Sequence, residues 1–547
     1  VRLPRLRVKR RKSFASWLRS LTYRAHRQLR YQEEVVVSLD STQAAPIAAG
    51  HRTAAAPQQE PLCVDLDGTL VKSDTLVDTV IVLARQSPAS VLRFPKWIAE
   101  GKASFKRKVS LLAAIDVVHL PYNKPLLAYL REQHAEGREI YLATGADTLL
   151  AERVAAHLGL FAGVMASDGS TNLTGHNKLA AFRERFPEGF CYIGNARPDV
   201  PLLTHCVQPM VANPHRSLSA GLRSAKVVPV QCFHDATSPV KAWVKAIRLH
   251  QWAKNVLIFL PVLLAHVRVA GPNVAALLAF FSFGLAASAT YIVNDLLDLE
   301  ADRHHPRKRR RPFASGDLSP LVGAATVIVF LALSVAIALL LPHVLTQLSP
   351  QFRPNGQGTF LGWLVIYAIS TTAYSLWLKR MVLVDVIVLS GLYTIRILAG
   401  SAASGVPVSP WLAAFSIFFF LSLAFVKRFS ELESVRERNE ASGAIAVKGR
   451  GYRISDLEQL RSFGTSSGYA SVLVFLLYIY NFEAAAKLYL HSTRLWLLVP
   501  VLLLWLSRLW LLASRGELHE DPVVYAVTDK RSLLLGVFVV AIVFSAL

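Results

Sequence analysis

Two groups of carboxylates in this chain are spaced as reacting centres would be. The first is Asn294-Asp295-Leu296-Leu297-Asp298-Leu299-Glu300-Ala301-Asp302. Asp295, Asp298 and Asp302 follow the i, i+3, i+7 rhythm of one helix face, with Asn294 four residues before Asp298. Three carboxylates on one face repel unless a hard cation sits among them. Mg2+ takes such oxygens and keeps its remaining positions for water and substrate phosphate. Arg303, Arg307, Lys308, Arg309, Arg310 and Arg311 follow at once, enough positive charge to hold a polyphosphate. The stretch reads as a metal–diphosphate site at a membrane face. Its rival is a solvated helix end followed by a positive-inside loop. The second group is Asp65-Leu66-Asp67-Gly68-Thr69-Leu70, after the apolar Leu62-Cys63-Val64. Two carboxylates two apart at a strand end project the same way, and Gly68 permits a sharp turn.

The elements that must position these groups differ in kind. A chain of 547 residues is too long for one ordinary domain. It is 53% hydrophobic with mean hydropathy +0.36, yet carries 60 Lys+Arg against 37 Asp+Glu, a net charge of +23. That combination implies segregation, with apolar spans in lipid and basic segments at an anionic membrane face or at phosphate. Nucleic-acid binding would also explain a pI of ≈ 10.0, but the apolar spans make it the poorer reading. Cys63, Cys191, Cys206 and Cys232 all precede the membrane region and form no Cys-x-x-Cys pair. Neither a disulfide framework nor a zinc framework follows, and the N-terminal domain reads as cytosolic.

Residues 1–60 read as a basic extension and linker. Its cations, interleaved with Phe14, Trp17, Leu18 and Leu21, suit an amphipathic helix on anionic lipid or a frayed terminus. No signal-peptide core follows it. Residues 61–235 are assigned to an α/β domain and 245–547 to an all-α membrane domain. About nine spans are expected, near 255–270, 274–293, 319–341, 358–378, 383–403, 409–426, 468–485, 494–513 and 531–547. Arg303–Arg311, Lys379-Arg380, Lys427-Arg428 through Arg453, and Arg515 then share one side, while loops near 271–273 and 404–408 lack Lys and Arg. Positive-inside places the soluble domain and the chemistry in the cytoplasm, on the plasma membrane of a bacterium.

Other residues in the membrane region carry weaker signals. Lys254 precedes the first span and is a site cation or a snorkelling one, beside Trp252, whose default role is an interfacial anchor. Tyr374 and Lys379 close the fourth span, and Asp385 opens the fifth. Arg396 lies well inside the fifth span, where a charge normally faces a polar cavity or partner. It suits a phosphate oxygen, which Arg binds bidentately.

The first acidic stretch resembles the first motif of the UbiA superfamily of intramembrane prenyltransferases. His305-Pro306-Arg307-Lys308 and Arg311-Pro312-Phe313-Ala314-Ser315-Gly316 are similar to the branch that includes decaprenyl-phosphate phosphoribosyltransferase. The resemblance covers residues 245–547. It implies Asp295 and Asp298 as catalytic residues, and Asp295, Asp298, Asp302 and Glu431 as metal-side carboxylates. It implies Lys254, Asn294, Lys308, Arg311, Tyr374, Lys379, Arg396, Lys427 and Arg428 as substrate-binding. Lys427-Arg428-Phe429-Ser430-Glu431-Leu432 departs from the Asp-rich second motif of the ubiquinone-type branch.

The N-terminal group resembles the haloacid dehalogenase phosphohydrolases. Asp65 would be the nucleophile and Asp67 the general acid/base. Ile140-Tyr141-Leu142-Ala143-Thr144-Gly145 matches the second motif, Lys178 the third, and Gly194-Asn195-Ala196-Arg197-Pro198-Asp199 the fourth. Thr144 and Lys178 would hold phosphate, while Asp65, Asp67, Asn195 and Asp199 would hold Mg2+. Asn195 stands where an acid is usual, so the metal site loses one charge. Residues 71–139 leave room for a helical cap, with Asp74 and Thr75 near its entrance.

The expectation is therefore a two-domain protein: a Rossmann-like α/β domain with a helical cap, then a polytopic helical domain. The function expected is Mg2+-dependent transfer from phosphoribosyl diphosphate to a polyprenyl phosphate, with a fused domain that dephosphorylates the product. The alternatives are prenyl transfer from a prenyl diphosphate to a ring acceptor, and an inactive membrane anchor or regulator.

Overall fold

Six short strands, most of them apolar and β-branched, build one sheet: β1 (Leu62–Val64), β2 (Ile140–Asp147), β3 (Gly163–Ser167), β4 (Cys191–Gly194), β5 (Pro209–Ala212) and β6 (Gln231–Phe233). They pair in parallel in the order β3-β2-β1-β4-β5-β6. Every residue of β1 and β4 is buried, as expected of inner strands covered on both faces. The strand order reverses between β1 and β4, which opens a crevice at their carboxyl ends. Between β1 and β2 the chain inserts α1 (Thr75–Gln86), a short helix over Phe94–Ala99 and α2 (Lys102–Leu112). Asp74 caps α1, its side chain accepting the Val77 N–H. This insertion is the helical cap. On the other side of the crevice lies α3 (His176–Arg185).

The computed structural model describes residues 59–352, 358–439, 451–481, 489–518 and 521–547. The surface helix anticipated within residues 1–35 lies outside the described residues.

After α4 (Pro239–Ile247) the chain becomes helical throughout: α5 (Ala270–Leu297), α6 (Leu299–His304), α7 (Pro320–Leu348), α8 (Phe360–Leu376), α9 (Val384–Ser404), α10 (Pro410–Asn439), α11 (Leu457–Tyr480), α12 (Leu498–Ser514) and α13 (Lys530–Ala546). Among the described residues six helices are long and apolar enough to cross a membrane: α5, α7, α9, α10, α11 and α12. The expected count of nine is not the one found. Leu249–Phe259 winds as a 3-10 helix and only Leu260–Leu264 continues as α. The 17-residue helices α8 and α13 reach about 25 Å, short of a ~30 Å hydrocarbon core, whereas the 3-10 turn Ser492–Leu497 prolongs α12 into a 23-residue apolar segment. The six qualifying helices make this an integral membrane protein. Its interior helix is α9, 67% buried across its apolar window, while α7 is 17% buried and offers its surface to lipid.

The two folds meet closely. Arg303 of α6 pairs with Asp78 of α1 at 2.8 Å, both nearly inaccessible, and the same guanidinium reaches Ser73 Oγ at 3.1 Å. Arg85 donates to the Leu297 carbonyl at 3.0 Å and lies 3.7 Å from Asp298. Lys72 pairs with Asp317 at 2.8 Å. Ile81 of α1 joins Ala242, Ala289, Ile292, Leu299 and Phe313 in one apolar cluster. The α/β domain therefore sits on the acidic stretch itself.

Helix α9 comes close to the entry segment at Gly400, where a Cβ would collide with the Ile258 carbonyl. Gly400→Leu should lower the melting temperature of the purified protein, for a cost of about 1–3 kcal/mol or more. An unchanged transition in detergent would show that this contact is not tight.

Candidate functional site

In the α/β domain the turn after β1 places Asp65 and Asp67 in the crevice. Gly68 has φ +74°, and a Cβ there would fall on the Asn195 side chain, so the turn needs glycine. Lys178, at the start of α3, donates to Asp65 Oδ1 at 2.9 Å, to the Ala143 carbonyl at 3.1 Å and to Tyr192 Oη at 3.0 Å. Tyr192 Oη in turn donates to Asp199 Oδ1 at 2.8 Å. Asp199 Oδ2 accepts the N–H groups of Asn195 and Ala196, each at 3.0 Å. Asp199 thus uses both oxygens to hold the loop that carries Asn195. Asp67 Oδ1 accepts the Thr75 N–H at 2.8 Å. Thr144 is fully buried and accepts the Ala146 N–H at 3.0 Å. From the cap, Lys106 reaches the Gly145 carbonyl at 2.6 Å and Asn172 at 2.8 Å.

The electrostatics of the two leading acids differ. Burial raises Asp65 to about 6, against the opposing pull of Lys178. Burial, reinforced by Asp74, raises Asp67 to about 7. Burial alone would discharge Lys178, but Asp65 and Asp199 hold it above its usual value. Burial thus keeps both carboxyl groups above the usual carboxylate range, and Lys178 offsets part of the rise at Asp65.

In the membrane domain the three aspartates do not converge. Helix α5 stops at Leu297, and Asp298 sits at the break before α6. Asp298 faces Arg85 of the α/β domain rather than its neighbours. Asp295 and Asp302 are both buried and share one guanidinium. Arg311 Nη1 lies 3.1 Å from Asp295 and 2.6 Å from Asp302. Arg248 adds a 2.5 Å bond to Asp295 and stacks on the Tyr291 ring. Arg248 itself has φ +54°, a strained conformation for a non-glycine residue. Lys308 stands off at 3.9 Å from Asp302, and Asn294 is half-buried beside Asp295.

A second polar cluster surrounds Asp521, which the sequence analysis did not single out. Asp521 Oδ2 receives Lys254 at 2.8 Å and Lys427 at 2.9 Å. Tyr393 Oη donates to Asp521 Oδ1 at 3.1 Å. Arg396 lies over the Tyr393 and Tyr367 rings and donates to Asn255 at 2.9 Å. Lys254 is therefore buried and paired with Asp521 rather than snorkelling. Arg428, Tyr374 and Glu431 belong elsewhere: Arg428 bonds Asp385, Tyr374 and Glu431, and Tyr452 caps Asp385. This buried network ties α8, α9 and α10 together, and Glu431 is engaged by Arg428 rather than turned to Asp295. Lys379 is partly exposed on a short 3-10 turn after α8.

Arg248, Tyr393, Asp521, Lys106 and Tyr192 were not found from the sequence. Only Asp521 had a local signal, an acid before Pro522 that caps the helix Pro522–Thr528 through the Val523 N–H.

The raised Asp67 gives a signed prediction. Below about pH 4 it is protonated whether folded or unfolded, so it does not affect stability. As pH rises from about 4 to about 7 the unfolded chain gives up this proton while the buried acid keeps it, so stability falls across that window and levels off above it. Asp67→Asn should raise the melting temperature more at about pH 8 than at about pH 5. Equal gains at both would show that Asp67 is not perturbed.

Comparison with known proteins now identifies the larger half. The UbiA prenyltransferase family matches residues 255–534. An uncharacterised protein of Sinorhizobium fredii, y4nM, is 37% identical over 88% of this chain and 89% of its own length. The decaprenyl-phosphate phosphoribosyltransferase of Mycobacterium tuberculosis is 36% identical over 36% of this chain and 62% of that enzyme. A haloacid dehalogenase family hydrolase of Salmonella enterica overlaps 30% of this chain and 65% of its own, at 18% identity and TM-score 0.23. In the N-terminal domain the parallel sheet brings Asp65, Asp67, Lys178, Asn195 and Asp199 together at its crevice. The chain belongs to the UbiA prenyltransferase family and carries a parallel α/β domain fused ahead of its transferase domain.

Proposed function

We propose that this membrane transferase moves phosphoribose from phosphoribosyl diphosphate to a polyprenyl phosphate, with both sites facing the cytoplasm of a bacterium. The observation that carries the reading is the pairing of Asp295 and Asp302 through Arg311, with Arg248 beside them. Two buried carboxylates that share one cation are a donor set suited to Mg2+, joined by the Asn294 amide oxygen. When bound, Mg2+ supplies positive charge to the diphosphate leaving group. Arg248 and Arg311, released from the carboxylates, would then bind diphosphate oxygens. Lys254, Lys427 and Arg396 would hold the second phosphate; the two lysines share Asp521, and Arg396 lies over the Tyr393 ring beside them. The C1–O bond to diphosphate breaks, the leaving group keeps the electron pair, and a phosphate oxygen of the acceptor bonds C1. Positioned cations do this work without a protein nucleophile.

An apolar cavity of about 360 Å³, lined by Leu260, Trp411, Phe415, Phe419, Phe475 and Leu502 among others, would accept part of the polyprenyl chain. The relatives named decaprenyl-phosphate phosphoribosyltransferase favour the phosphoribosyl donor. The family's name favours the second reading, in which a prenyl diphosphate is the donor and a ring the acceptor.

The α/β domain would then remove the 5-phosphate of the product. Asp65 attacks phosphorus, and Asp67 protonates the departing oxygen. Water afterwards cleaves the acyl phosphate, with Asp67 taking its proton. Asp65, Asp67 and the Asn195 amide would offer oxygens for Mg2+, with one charge fewer than a site of acids, while Asp199 holds the Asn195 loop. Docking on α6 would hold that crevice close to the transferase site, which would raise the effective concentration of a lipid-linked product.

Membranes given labelled phosphoribosyl diphosphate and, separately, labelled prenyl diphosphate should label lipid from the first donor. Label from the prenyl donor alone would select the second reading, and label from neither would select an inactive anchor. Asp295→Asn should cut transfer by orders of magnitude in well-expressed protein. Unchanged transfer would end the diphosphate-site reading. Asp65→Asn should leave the transfer rate intact while the phosphorylated product accumulates. Identical product mixtures would rule out the sequential scheme.

A further inference from the structure

Where the α/β domain meets α6, two histidines and an aspartate come together without serving either site. Asp116 and His119 lie in the loop that follows α2, and His304 is the last residue of α6. Asp116 Oδ2 is 2.7 Å from His119 Nδ1 and 3.1 Å from His304 Nε2. The two imidazole rings lie 4.1 Å apart, tilted by 36°. All three donor atoms fall within 4.8 Å of one another, the one such trio of His, Cys, Asp and Glu donors among the described residues.

From this geometry we infer a transition-metal site of the Zn2+ class, made by both domains together. Two imidazole nitrogens and one carboxylate oxygen are the ligand set that Zn2+ takes. A tetrahedral ion about 2.1 Å from each donor sets the donors roughly 3.4 Å apart, so Asp116 Oδ2 would draw back from the two imidazoles by a few tenths of an ångström. Binding replaces the protons now shared between the rings and Asp116: each imidazole gives a lone pair, and the protons leave to solvent. Glu300 lines the same recess, with its carboxylate 3.4 Å from the Asp116 N–H, and is placed to fill or orient the fourth position. Arg303 also borders the recess, but its charge is answered by Asp78, so it does not repel an ion. The side chains of His119 and His304 are 42% and 47% exposed, which leaves an open path for entry. The ion would staple the cap loop to the helix that carries Asp302. It takes no part in either reaction.

The full chain in detergent, stripped with chelator and dialysed against Zn2+, should retain one ion that His119→Ala and His304→Ala each lose. Co2+ in its place should give the visible absorption of a tetrahedral imidazole-bound ion, which oxygen-only Mg2+ sites do not give. Zn2+ should also raise the unfolding temperature of the parent chain and not of the two variants. Asp65→Asn should still bind the ion, which separates this site from the phosphohydrolase crevice. Parent protein without bound Zn2+, or either histidine variant binding like the parent, overturns the proposal. If His304→Ala does not fold, His119→Ala decides alone.

Discussion

The architecture turns on one buried ion pair. Arg303 of α6 and Asp78 of α1 belong to different folds, yet each is almost wholly removed from water. Losing either partner would strand a buried charge, at about 3–5 kcal/mol. The pair can therefore exist only while the two domains are docked, and the docking is correspondingly specific in register. Arg303 follows Asp302 directly, while Asp78 lies in the helix that begins where Asp67 accepts the Thr75 N–H. One interaction thus connects the acidic stretch of the membrane domain to the entrance of the α/β domain's crevice.

The same rule of compensation orders the membrane site. Charges at that depth are costly unless partnered, and each buried one here has a named partner. Asp295 and Asp302 are answered by Arg248 and Arg311, Asp521 by Lys254 and Lys427, and Asp385 by Arg428. Arg396 has no acid at hand and is held instead by Asn255 and two aromatic faces. Such pairs hold their side chains in place but remain exchangeable. A diphosphate with its cation offers the same charges in a new arrangement, so binding need not uncover a bare charge.

In the α/β domain, desolvation does what charge pairing does in the membrane. Burial raises both Asp65 and Asp67, and Lys178, bonded to Asp65, and the Thr75 N–H, bonded to Asp67, each pull back against it. The cap closes this environment, since α1 supplies the N–H on Asp67 and α2 supplies Lys106.

Much of this was legible in the linear chain. Asp65, Asp67, Lys178 and Asp199 could be found because each follows a strand or opens a helix in a fixed order. The apolar runs announced a membrane domain, because lipid demands long stretches of one composition. The bend at Asp298 was not legible: a helical rhythm assumes an unbroken helix, and the break turned that carboxylate to Arg85. Nor was the span count, since hydropathy records apolar length but not whether a segment winds as α or 3-10. Asp521 lies 267 residues from Lys254, and Arg303 lies 225 from Asp78 (303 less 78). Local sequence determines which residues can carry charge and which segments prefer lipid. Which charges meet was decided by the tertiary structure alone, because electrostatic pairing depends on distance in space and leaves no periodicity along the chain.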